Sequence, residues 1–199
     1  MKSDAPQDIM NVTTPAQRKA LASPLRQEIL GHFAGTRALA VADLAERMGR
    51  PATALYYHVS QLHDLGFLET AGERRKGKRY ETLFRPTAKR YEIPAAGESE
   101  WADAVEALTV AQRMAIRDMK GALEGGRMRD EGPDRNCIAF RLQGQIDLKT
   151  LAAVNEHIDT ILELIGAGCG EPPDVDDGEF ISLTLSLMPL QGRSKKDLS

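Results

Sequence analysis

Arg74, Arg75, Lys76, Lys78 and Arg79 crowd five cations into six positions around Gly77. Such a cluster can bind phosphate oxygens, arginine through its planar fork and lysine as a point charge. Upstream, Thr53, Tyr56, Tyr57 and Ser60 bring four hydroxyls into eight residues. A hydroxyl can hydrogen-bond a base edge or a phosphate without itself fixing which base is read.

The sequence offers little other chemistry. It contains no GxSxG, no GxxxxGK[ST] and no HExxH, so neither catalysis nor a cofactor is expected. His58 and His63 are five residues apart, not at the i, i+4 spacing of a helical metal pair, and a packed histidine is the favoured reading of His58. Cys137 and Cys169 are distant from one another with no CxxC, and read as reduced packing thiols. The acidic stretch EPPDVDDGE, Glu171 to Glu179, lacks the alternation and terminal glutamate of a calcium loop and reads as a solvated loop. No metal site is expected.

The chain has 199 residues with 42% hydrophobic content, enough to bury a core, and a formal net charge of −3. That charge is unevenly divided. Residues 1–94 carry 15 Lys and Arg against 10 Asp and Glu, whereas the remainder carries 11 against 19. A basic half that meets a polyanion and an acidic half with another task fit this division. No apolar run approaches the ~18 residues of a membrane span, and the N-terminus MKSDAPQDIM has no signal-like apolar segment, so a cytoplasmic address and no membrane contact are expected.

The elements that would hold the cations and hydroxyls follow from periodicity. Thr13-Thr14-Pro15 can start a helix through Leu21, and Ser23-Pro24 starts a second with Leu25, Ile29 and Phe33 on one face, ended at Gly35-Thr36-Arg37. Val41, Leu44, Ala45 and Met48 predict a third. After a Gly49-Arg50 turn, Leu55, Val59, Leu62 and Leu65 predict a fourth, which leaves the hydroxyl residues on its free face. For Tyr57, partial packing and ligand contact both remain open. Gly66 stops that helix, and a hairpin pairing about 67–73 with 78–84 puts the five cations at its tip.

LASPLRQEIL (Leu21 to Leu30) and ALYYHVSQLHDLGFLE (Ala54 to Glu69) resemble ArsR-type winged helix-turn-helix transcriptional regulators over about residues 15–92. The resemblance implies a recognition helix in the major groove of double-stranded DNA and a wing hairpin on its backbone, here Arg74, Arg75, Lys76, Lys78 and Arg79. The metal-sensing branch carries a cysteine pair on the helix before the turn. This chain reads VADLAERM there, which counts against metal sensing.

The linker is placed at YEIPAAGESE, Tyr91 to Glu100. Beyond it, apolar residues from Trp101 to Leu123 at three- and four-residue steps predict a long helix ended by Gly125-Gly126. CIAFRLQ and FISLTLSLM alternate as strands do, and between them Asp147 caps a helix carrying Leu148, Leu151, Val154, Ile158, Ile161 and Ile165. The expectation is an α+β protein: a winged helix-turn-helix domain over 1–94, and an α/β dimerisation or sensing domain over 95–199. Two strands and a helix are thin cover for an apolar face, so a homodimer is expected. The stripe from Trp101 to Leu123 either packs on its own sheet or meets the second copy. A small-molecule effector is compatible with this reading. The rival reading uses the winged helix to dock an acidic protein.

Overall fold

The computed structural model describes residues 6–33, 38–94, 97–167, 179 and 181–190. Strand β1 (Gln7–Asn11) leads into α1 (Pro15–Leu21), whose capping box is complete: Thr14 Oγ1 accepts from the Gln17 amide, and Gln17 Oε1 accepts from the Thr14 amide. Helix α2 (Pro24–Gly31) follows with proline at its first position. The two-residue strand β2 (Leu39–Ala40) passes into α3 (Val41–Met48), where Asp43 accepts from the Ala40 amide at the entrance. Gly49 at φ +60° ends α3 in the left-handed conformation that glycine adopts without a steric penalty. Pro51 then opens α4 (Ala52–Asp64). The break expected at Gly35-Thr36-Arg37 lies outside the described residues.

Strands β3 (Leu68–Lys76) and β4 (Arg79–Pro86) form an antiparallel hairpin, and β2 adds to β4, giving the order β2-β4-β3. The ladder runs from Leu68 opposite Pro86 to Lys76 opposite Arg79. It gains one extra residue between Thr70 and Glu73, a bulge that bends the hairpin beside Gly72 at φ +109°. Strand β5 (Ala88–Glu92) pairs in parallel with β1. Sequence periodicity did not reveal β1, and β5 takes Tyr91 and Glu92 out of the segment read as linker. Thr87 and Tyr91 fasten the start of this segment to the turn between α4 and β3, their hydroxyls donating to the carbonyls of Gly66 and Phe67. Burial pushes the Tyr91 phenol up to about 12, so it remains a neutral donor.

The core gathers one face from every helix of this half. Ile29, Phe33, Leu44, Leu55, Val59, Leu62, Phe67 and Leu68 are essentially inaccessible. Each contributes about 1.5–3 kcal/mol by burial, so Leu55→Ala, which removes the first residue of the α4 stripe, costs about 2–5 kcal/mol.

Helix α5 (Glu98–Glu124) belongs to this core at its first half. Ala107 packs in it, and Arg18 on α1, only 6% exposed, donates to Asp103 at 2.6 Å and to the Thr13 carbonyl. Helix α6 (Leu148–Ala167) starts at Asp147, whose carboxylate accepts from the Thr150 amide at 2.7 Å as expected.

The two expected C-terminal strands do not form. Residues 137–143 and 181–188 join no ladder, and Phe140 and Leu142 stand 76% and 83% exposed. Alternation prepares one apolar face, but a strand also needs an edge to pair with, and neither segment meets one within the described residues. Phe180, Cys169 and the stretch from Glu171 to Gly178 lie outside them.

Candidate nucleic-acid interface

Thr53, Tyr56, Tyr57 and Ser60 occupy positions i, i+3, i+4 and i+7 of α4, one continuous face. Leu55, Val59 and Leu62 hold the opposite face in the core. All four hydroxyl residues are exposed, Tyr56 at 58% and Tyr57 at 65%. The Tyr57 ring lies edge-to-face with that of His58, at 5.4 Å between centroids. Asp64 lies exposed one further turn along this face, so the negative charge sits at its C-terminal end and the hydroxyls at its N-terminal end.

Side chains that sequence reasoning missed hold α4 in place. The Arg26 guanidinium donates to Gln61 Oε1 on α4 at 2.7 Å and to the carbonyls of Ala20 and Lys19, joining α1, α2 and α4. Gln17 on α1 donates to the Leu65 carbonyl at the far end of α4. Their only advance signal was polarity at core-facing helix positions. His58 is partly buried beside the stripe, and its Nδ1 is enclosed with no hydrogen-bond partner among the described residues. Burial, with Arg26 nearby, lowers its pKa and favours the neutral imidazole.

The hairpin turns on two residues, Gly77 and Lys78. Gly77 has φ +64° at the first central position, where a type II′ turn requires a positive φ. This geometry brings the five cations together but does not make them equivalent. Arg74 faces back toward α3 and forms 2.8 Å ion pairs with both Asp43 and Glu81. Those two carboxylates hold the guanidinium pKa above its ordinary value. Burial alone would raise the Asp43 carboxyl, but the Arg74 bond and the Ala40 amide outweigh it and leave it below the usual carboxylate range. Lys76 is 3.7 Å from Glu81, and Arg75 donates to the Gly77 carbonyl at 3.1 Å. Lys78 and Arg79 are exposed and have no ion-pair partner among the described residues. The cations available to an incoming anion are therefore concentrated at Arg75, Lys78 and Arg79.

Arg50, on the turn before α4, is a further exposed cation and one that sequence reasoning passed over. It pairs with Glu28 at 3.3 Å. Among the described residues, no three His, Cys, Asp or Glu side chains gather closely enough to hold a metal ion, and no helix is long and apolar enough to cross a membrane.

A search of curated proteins finds no match to the chain. Residues 21–71 do match a family model, running from the last residue of α1 through α2, α3 and α4 to the start of β3 and ending before the cationic hairpin tip: this segment is a helix-turn-helix domain.

Proposed function

We propose that the protein is a sequence-specific transcriptional regulator of double-stranded DNA, acting in the cytoplasm as a homodimer through binding alone, without an enzymatic step or a cofactor. The observation that carries this reading is the pairing of an exposed hydroxyl face on α4 with an uncommitted cationic hairpin tip beyond the same helix. A helix-turn-helix places its second helix in the major groove, which makes Thr53, Tyr56, Tyr57 and Ser60 the base-edge and nearby phosphate contacts. The hairpin then acts as a wing along the backbone, through Arg75, Lys78 and Arg79, with Lys76 beside them. Arg74 contributes by holding that wing against α3.

The resemblance to ArsR-type regulators supports this division between helix and wing. The C-terminal half supplies the dimer contact. Titrating random and selected duplexes at several salt concentrations tests the proposal: affinity should fall linearly on a log–log plot with salt, and selection from a random library should return a two-fold sequence. Binding that ignores duplex DNA but retains an acidic protein would replace this reading with a protein-docking one.

A further inference from the structure

The exposed stripe of α5 has a symmetry that an ordinary amphipathic helix does not require. Leu108 and Ile116 lie four residues to either side of Gln112, Val105 and Met119 seven, and Trp101 and Leu123 eleven. At about 100° per residue, these positions fall within an arc of roughly 80°, the narrow seam of a helix pair rather than the broad face of a helix laid on a sheet. Leu108 is half-buried and the other six are exposed. Asp103 and Ala107, which anchor α5 to the winged helix, lie on the far side of the helix, about 140–180° round from the seam. The seam faces away from the chain's own core.

We infer that α5 pairs antiparallel with α5 of a second copy across a two-fold axis at Gln112, an inference that rests on the homodimer reading above. A two-fold contact must be self-complementary, so each residue's partner must itself find that residue in return. Spacing that is palindromic about one residue meets this requirement along the whole seam. Trp101 then packs on Leu123 of the second copy, Val105 on Met119, and Leu108 on Ile116, while the two Gln112 side chains meet at the axis.

One polar residue in an apolar seam specifies register at some cost in stability. Gln112 has amide groups to spare for this, because among the described residues it uses one donor, toward Ser186 at 3.3 Å. Charge favours the same orientation. Glu106 and Lys120 share one flank of the seam, and neither has an ion-pair partner among the described residues. Antiparallel pairing brings like flanks of the two helices together and places each Glu106 beside Lys120 of the second copy. The two winged helices end on opposite outer sides of the seam, fixed to it through Arg18 and Asp103.

Single cysteines in a Cys137→Ser, Cys169→Ser background test this on the intact protein, with light scattering run beside mild oxidation. Gln112→Cys should cross-link to itself. Val105→Cys and Met119→Cys should each fail to cross-link alone, because in the antiparallel pair equivalent positions lie about 21 Å apart along the axis. Co-expressed, the two should form a mixed disulfide. A dimer in which Val105→Cys cross-links to itself overturns the antiparallel seam, and so does a dimer in which none of the three variants cross-links; both leave the homodimer standing. A monomeric wild type overturns the seam and the homodimer together.

Discussion

Arg74 on the hairpin and Asp43 in the first turn of α3 form a 2.8 Å ion pair, 31 residues apart in sequence. Together with the Arg74–Glu81 pair on β4, it ties the hairpin to α3, the helix that precedes α4. One of the five clustered cations is therefore committed to holding the other four in position.

Salt dependence should separate the two roles. Arg75→Ala, Lys78→Ala and Arg79→Ala should each weaken all duplexes alike and reduce the salt slope by about one counterion. Arg74→Ala should leave the slope nearly unchanged, while backbone amides along β3 and β4 exchange faster with solvent. A slope reduced by a full unit for Arg74→Ala would make it a phosphate contact after all.

On α4 the expected readout is preference rather than affinity. Thr53→Ala and Tyr56→Ala should each cost about 1–3 kcal/mol on particular operator positions and little on others, as lost base-edge bonds do. Competition binding against single-base variants of the selected site measures this. Uniform weakening across every variant would reassign both residues to the backbone.

The join between α1 and α5 should be sensitive to loss of one partner. Asp103→Ala leaves the Arg18 guanidinium buried without its 2.6 Å acceptor, and urea unfolding should show a loss of about 1.5–3 kcal/mol. Asp103→Asn keeps an acceptor and should recover part of that loss. Equal stability in the Ala variant and the wild type would mean that Glu100, 3.7 Å from Arg18, suffices alone.

Acid should weaken the fold in two steps. Burial is the main cause that lowers the pKa values of His58 and His32 below 6.5, so the unfolded chain binds more protons than the folded one as pH falls. Their contribution is complete above pH 6.5 and is lost below it. Asp43, depressed below 3.8, contributes stability that is complete above that value and lost as pH falls through its folded pKa. Urea midpoints between pH 7.5 and 5.5 should decline, and His58→Phe should flatten the decline. A midpoint that does not change across that range would remove the histidines from the account.

How much of this could be read in advance follows from the range of each interaction. The helix-turn-helix was legible because Leu55, Val59 and Leu62 repeat at the helical period, and that alone leaves Thr53, Tyr56, Tyr57 and Ser60 outside. The hairpin tip was legible because a glycine between two short runs of cations interrupts two extended segments. The palindrome about Gln112 was likewise present in the sequence. Its meaning depended on which face of α5 the winged helix had already taken, and Asp103 and Ala107 settle that.

Contacts between distant residues were not legible. Nothing near Arg74 in sequence distinguishes it from Arg75, Lys78 or Arg79; only the approach of α3 assigns it to Asp43. Strand β1 had no periodic signal, since its identity comes from pairing with β5. The alternating segments at 137–143 and 181–188 had the signal and formed no strand. Side-chain alternation is a local property written into the chain, whereas a ladder exists only when the tertiary structure brings a second backbone edge within hydrogen-bonding distance.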